Sequence, residues 1–372
     1  MTDTDIPQPD QVDGAPHPRE TTRLFGQDTA ETSFLAAYNS GRLHHGWLLS
    51  GPKGLGKATL AWRIARFLLA TPAPDADGLF GAPPPPETLD IATDHPVARR
   101  VLALSEPGLF LLRRSWDDKA KRLKTQLTVD EVRRLKGYFS LSSAEGGRRV
   151  VIVDAMDELN TSAANAILKL LEEPPARTTL LMVAHQPSRL LPTIRSRCRE
   201  LRLAPLGPDD MARALGQAGA EVNPADAHAL AALSSGSVGA AMRLLNHDGL
   251  RLYADIVSLL GTAPRLDRAR AIALGESTAG KANEARLDLA LTLIDTLMAR
   301  LARTGVTGHA PAPEAAPNES AILSRLAPTP QSGLHWAELA QQAGDRARHA
   351  RAVNVDPAAL VLDLILQISR TD

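Results

Sequence analysis

At 372 residues the chain is longer than one ordinary domain, and two or three domains are expected. Lys+Arg and Asp+Glu each number 42, so the net charge is zero and the chain is not held on DNA mainly by its own charge; any DNA contact is local or shared with partner subunits. The one cysteine, Cys198, excludes an internal disulfide framework or a cysteine-rich zinc site, and no run reaches the ~18 apolar residues of a membrane helix, so a cytoplasmic protein with no membrane partner is expected.

Residues 1–22 are polar, acidic and Pro-spaced, and read as a disordered tail rather than a signal peptide. From 23 to 204, short β-like runs alternate with helical patterns, which implies an α/β domain with a parallel sheet covered by helices. Strands are predicted at 46–50, 109–113, 149–153, 179–184 and 200–203, rich in Val, Ile and Leu as strands buried on both faces are. The stretch 71–87 contains four consecutive prolines, Pro83 to Pro86, and is a surface excursion. Six basic residues between 113 and 124 mark a hairpin tip or loop, either a solvated turn or a nucleic-acid contact. After Pro205 the strand signals stop. Short helices fill 207–260, and Ala/Leu/Arg-rich helical patterns follow, broken by a Gly/Pro-rich loop at 305–317. The last helix starts with Asp356 as N-cap and Pro357 at its first position. Its stripe of Leu360, Val361, Leu364, Ile365 and Ile368 is either core or an oligomer contact.

The predicted strand 46–50 runs into Gly51-Pro52-Lys53-Gly54-Leu55-Gly56-Lys57, and a helix follows. Strand, glycine-rich loop and helix is the context of a phosphate-binding loop: backbone N–H groups face the phosphates and the lysine reaches the terminal oxygens. Gly51, Gly54, Gly56 and Lys57 are therefore the candidate nucleotide-binding residues. The position after the lysine is Ala58, where a Ser or Thr hydroxyl would hold Mg²⁺. Thr59 lies ~100° further around the helix.

The predicted strand 149–153 runs directly into Asp154, the pattern of the second nucleotide motif, where a carboxylate contacts magnesium-bound water. The next residue, Ala155, stands where a hydrolysing site carries a water-orienting Glu. Asp157 and Glu158 read as the acidic first turn of a helix. Two independent defects in one reaction imply a degenerate site that binds ATP weakly or not at all and does not turn it over; no metal ligand set is expected.

Downstream, Asn165-Ala166-Ile167-Leu168-Lys169-Leu170-Leu171-Glu172-Glu173-Pro174-Pro175 is an amphipathic helix capped by Asn160 and stopped by prolines. After another strand comes Pro192-Thr193-Ile194-Arg195-Ser196-Arg197-Cys198. These two runs resemble the clamp-loader branch of the AAA+ family. Within that branch, Asp154-Ala155 and Ala58 are similar to the delta-prime family of bacterial DNA polymerase III, because motor subunits keep Asp-Glu. The resemblance covers about 24–245.

The resemblance implies a RecA-like P-loop AAA+ domain over 23–204, a small helical lid over 205–263, and an all-α collar for oligomerisation over 264–372. It implies a non-hydrolysing stator in a hetero-pentamer with gamma/tau motor subunits and a delta subunit, part of a polymerase holoenzyme. That assembly loads the sliding clamp onto primer–template DNA during replication. Arg197, with Ser196 beside it, is then the arginine finger for a neighbour's ATP site. The alternative is an active AAA+ motor of the loader or a related DNA remodeller. His185 reads as a neutral core-edge histidine at a place where hydrolysing relatives sense phosphate, and Gly239 replaces a sensing arginine. Arg243, a turn further on, reads as packing or solvent-facing, and Cys198 as a small buried residue. Where many relatives carry a four-cysteine zinc module, this chain has no cysteine, so no zinc is expected.

Overall fold

The computed structural model describes residues 7–71, 84–140 and 147–369, in two compact units, 1–205 and 206–372. Most of the predicted excursion at 71–87 lies outside the described residues.

In the first unit, α1 (Asp28–Asn39) precedes β1 (Gly46–Ser50) and α2 (Lys57–Ala70). Then come α3 (Pro96–Leu102), β2 (Leu109–Arg113), a small hairpin of β3 (Trp116–Asp117) and β4 (Arg122–Leu123), and α4 (Val129–Ser140). β5 (Arg149–Asp154), α5 (Thr161–Glu172), β6 (Thr178–Ala184), α6 (Pro192–Arg195) and β7 (Arg199–Arg202) complete it. The five long strands form a parallel sheet in the order β2-β5-β6-β1-β7. The central strands β1 and β6 are buried along their whole length, as the continuous apolar runs require. Side chains alternate across the sheet. Trp47, Leu49, Ile152 and Val183 enter one core with α1 and α2, while Leu48, Val151, Val153 and Met182 enter a second core with α4 and α5.

This is the expected α/β class. β1 and β2 occupy the expected residues, and β5 runs one residue further, which takes Asp154 into the strand. The basic run at 113–124 is largely a hairpin, and half its cations are spent on nearby acids: Arg113 on Asp10, Arg114 on Glu158 and Lys124 on Glu131. The expectation of a disordered tail over 1–22 needs correction for residues 7–22. They are folded, with Asp10 and His17 almost fully buried, because α2 offers arginines to their backbone carbonyls.

The second unit is helical: α7 (Pro208–Gln217), α8 (Pro224–Leu233), α9 (Val238–Asn246), α10 (Gly249–Leu260), α11 (Arg268–Glu276), α12 (Glu284–Thr307), α13 (Glu319–Leu326), α14 (Pro330–Ala352) and α15 (Pro357–Ser369). Asp356 caps α15, its carboxylate accepting from Ala359 N at 2.9 Å, and the stripe from Leu360 to Ile368 is core. Gly305 belongs to α12 rather than to the loop predicted at 305–317. A Cβ on Gly305 would lie 2.5 Å from Gly333 N, and one on Gly333 would lie 2.8 Å from Ala302 O, so the two glycines let α12 and α14 touch backbone to backbone. The chain leaves the helix at Gly308 instead, in the left-handed conformation usual after a C-terminus.

A buried ionic hub joins α10, α12 and α13. Fully buried Glu319 accepts from Tyr253 Oη at 2.6 Å, Arg300 Nε at 2.7 Å and Ala315 N at 2.6 Å. Removing one partner of such a pair strands a charge in the interior. Glu319→Ala is therefore expected to lower the unfolding free energy by about 3–5 kcal/mol. Asp363→Ala, which breaks the half-exposed pair with Arg346, is expected to cost less than ~1 kcal/mol. Urea denaturation of the two variants checks the contrast.

Candidate nucleotide site

Parallel strands place their C-terminal ends together, and Ser50, Asp154 and Ala184 share that edge: Ser50 is in register with Ala184 and Asp154 with Val183. The phosphate loop leaves β1 there. Gly51 and Gly56 have φ of 135° and 90°, which strain any other residue; a Cβ would lie 3.0 Å from Leu203 O at Gly51 and 2.5 Å from Leu24 Cδ1, a side chain that would have to shift, at Gly56. Gly54, between them, is also left-handed at 85°. Thus the backbone of the loop keeps its glycine-dependent shape.

Its side chains are held by their own neighbours. Lys57, 2% exposed, turns its ammonium back onto the loop, donating to Gly51 O at 2.7 Å and to Pro52 O. Burial lowers its pKa to about 8, against the pull of Asp154 and Asp157. Asp154 is buried at the end of β5. Burial, then the nearby charges of Asp10 and Glu158, raise its pKa to about 7, only partly offset by Lys57 and Lys53. Ala155, 1% exposed, belongs to the apolar core of the α2 face, so a methyl group fills the water-orienting position. Ala58 leaves the magnesium position without a hydroxyl. Among the described residues no cluster of three or more His, Cys, Asp or Glu could hold a metal ion.

The neighbouring acids are tied down rather than solvated. Asp157 accepts from His185 N at 2.9 Å, and Glu158 pairs with Arg114 at 2.7 Å. His185 is half-buried at the end of β6, its pKa lowered to about 4 by burial and by Lys57, so its ring is neutral. The loop glycines, Lys57 and Asp154 lie together at the carboxyl edge of the sheet, with His185 beside them.

The structure places Arg197 and Ser196 elsewhere. A Cβ on Gly46, the first residue of β1, would lie 3.3 Å from Arg197 O, so Arg197 sits at the N-terminal edge of the sheet. The phosphate loop begins after Ser50, four residues along the strand, or about 13 Å away. Arg197 is 39% exposed, pairs with Glu172 at 3.0 Å and donates to Thr193 O at 3.0 Å. Ser196 Oγ donates to the same carbonyl at 3.1 Å. Cys198 donates to Ile194 O at 3.0 Å, and burial pushes its thiol up to about 12, far from a nucleophilic thiolate.

Residues 26–207, which include both nucleotide motifs and the Ser196-Arg197-Cys198 segment, match the family described as DNA polymerase III, delta subunit. The subunit delta′ of Pseudomonas aeruginosa DNA polymerase III is 39% identical over 205 residues, 54% of this chain and 55% of that protein. This part of the chain resembles the delta-prime subunits of DNA polymerase III. The Escherichia coli subunit delta′ is 33% identical over 216 residues, 58% of each chain. A gamma/tau subunit of Mycobacterium bovis is 28% identical over 201 residues, 52% of this chain and 30% of that protein. The chain spans about half the length of the delta-prime relatives it matches.

Sequence reasoning missed Asp10, which accepts from Arg113 at 2.8 Å and lies 3.2 Å from His17 Nε2. A single acid in a Pro-spaced polar segment carries no signal of burial. Burial acts to raise its pKa, but the hydrogen bond and charge of His17, with Arg113, outweigh this and leave it at about 2.

The two carboxylates set opposite pH dependences. The raised Asp154 retains a proton between about pH 4 and 7 that the unfolded chain has lost, so its contribution weakens the fold as pH rises through that window. The lowered Asp10 stabilises above about pH 4, and that contribution is lost as pH falls toward 2. Asp154→Asn is expected to stabilise the chain at pH 8 by about 1–4 kcal/mol and to have little effect below pH 4. Thermal and urea melts across pH check this; a benefit independent of pH would contradict it.

Proposed function

We propose that this chain is a clamp-loader subunit of DNA polymerase III acting as a non-hydrolysing stator, which presents Arg197 to the ATP site of an adjacent motor subunit. The observation that carries the reading is the separation of the two functional ends. The arginine of the Ser196-Arg197-Cys198 segment lies at the edge of the sheet opposite its own phosphate loop. It therefore serves a nucleotide held by another chain. A fixed guanidinium neutralises charge spreading over a transferred phosphoryl group, and such fingers supplied in trans are worth ~10³–10⁵ in rate in GTPases.

Ala58 and Ala155 support the absence of turnover within this chain. The half-exposed pair with Glu172 supports a finger held in readiness, since an exposed pair costs little to exchange for a phosphate. The partners in this reading are gamma/tau motors and a delta subunit in a cytoplasmic hetero-pentamer that places the sliding clamp on primer–template DNA. Similarity to a gamma/tau subunit favours the second reading, an active motor, but that reading requires magnesium-dependent hydrolysis without the hydroxyl at 58 or the acid at 155.

Reconstitution with motor and delta subunits tests the proposal. Arg197→Ala is expected to leave the native mass of the assembly intact while lowering its DNA- and clamp-stimulated ATPase. Arg197→Lys should recover little, because a lysine lacks the planar fork. Unchanged ATPase in the assembled Arg197→Ala complex would remove the finger assignment.

A further inference from the structure

Residues 8–24 run along α2 and end beside both nucleotide motifs. At one end, Leu24 lies over Gly56 of the phosphate loop. Thr22 O then accepts from Arg63, while Thr21 O and Arg19 O accept from Arg66 at 2.9 and 2.5 Å. His17 meets the Trp62 ring edge-on at a centroid distance of 5.9 Å. At the other end, Asp10 takes hydrogen bonds from Trp62 Nε1 at 3.4 Å and Arg113 at 2.8 Å, and Arg113 also holds Gln8 at 2.9 Å. Arg113 is the register partner of Asp154 across β2 and β5. Asp10 is thereby carried to the phosphate edge of the sheet, close enough for its charge to act on Asp154.

An anionic side chain in that place is unusual for a site meant to receive phosphates. A carboxylate on each side of the edge opposes the charge that Lys53 and Lys57 supply, and Glu158 adds to the opposition. In a poorly solvated pocket such repulsion is worth a large factor in affinity. The strap is not held by charge alone. Its carbonyls satisfy two α2 arginines, and the Asp10 side chain is 1% exposed, so it is a fixed part of the folded unit.

We propose that residues 8–24 are a built-in occupant of this chain's own nucleotide site, a strap whose Asp10 latch on Arg113 and Trp62 makes strap closure and nucleotide binding mutually exclusive. The proposal deepens the stator reading and rests on it: the pocket is closed by a segment of the same chain as well as lacking its catalytic groups. Reciprocity follows. If a closed strap weakens nucleotide binding, bound nucleotide must loosen the strap by the same factor.

Two measurements test this. Calorimetric titration of the full chain with ADP in EDTA is expected to give weak binding for the wild type and about tenfold tighter binding for Asp10→Asn, which removes the charge and loosens the latch. Hydrogen exchange on the wild type is expected to show faster exchange of the amides of 8–22 in millimolar ADP than without it. A folded Asp10→Asn chain that binds ADP no better than wild type overturns the proposal. So does a wild-type complex in which those amides keep their protection, and that measurement stands even if the variant fails to fold. Wild-type chain that binds no ADP at millimolar concentration, with its strap protected, agrees with the proposal. The outcome is separable from that of the stator reading, which stands or falls on Arg197 in the assembled complex.

Discussion

The polarity of one parallel sheet arranges the candidate functional residues of this chain. All five long strands point the same way, so their carboxyl ends form one edge and their amino ends another. The carboxyl edge collects Gly51, Lys57, Asp154 and His185, whereas the segment entering β7 sets Arg197 at the amino edge. Two apolar cores, one on each face, hold that separation rigid. A side chain at one edge has no route to chemistry at the other within its own subunit.

The carboxyl edge combines a glycine loop of positive φ with a buried lysine and a buried carboxylate. In a working site a divalent cation would stabilise the Asp154 carboxylate, as bound cations usually do for their ligands. Here burial and neighbouring acids hold its pKa near 7, and Lys57 satisfies its ammonium on carbonyls of its own loop. Ala155 is packed as core, so restoring an acid there would bury a charge in an apolar cluster, at high cost. The alanine at 155 is thus part of the packing of the unit.

Much of this was legible in the sequence, for identifiable reasons. β1 and β2 are short apolar runs bounded by turn residues, and the loop after β1 carries the glycines that its positive φ angles require. The capped run from Asn160 and the segment around Arg197 are local patterns, so neighbours in sequence suffice to read them. What stayed hidden depends on distant partners. Residues 7–22 lack an apolar pattern, and their order comes from Arg63, Arg66 and Arg113, at least 40 positions away. Gly305 reads as a loop residue until Gly333, on another helix, is seen to need its missing side chain. Asp157 and Glu158 read as a solvated turn because their partners, His185 N and Arg114, lie on other strands or loops.

The central claim, that this chain has the frame of a nucleotide engine without its chemistry, is tested most directly by phosphate release from the purified chain alone in saturating Mg²⁺–ATP. The account predicts release no faster than a buffer control, unchanged by Lys57→Ala. Sustained magnesium-dependent turnover that Lys57→Ala abolishes would contradict it.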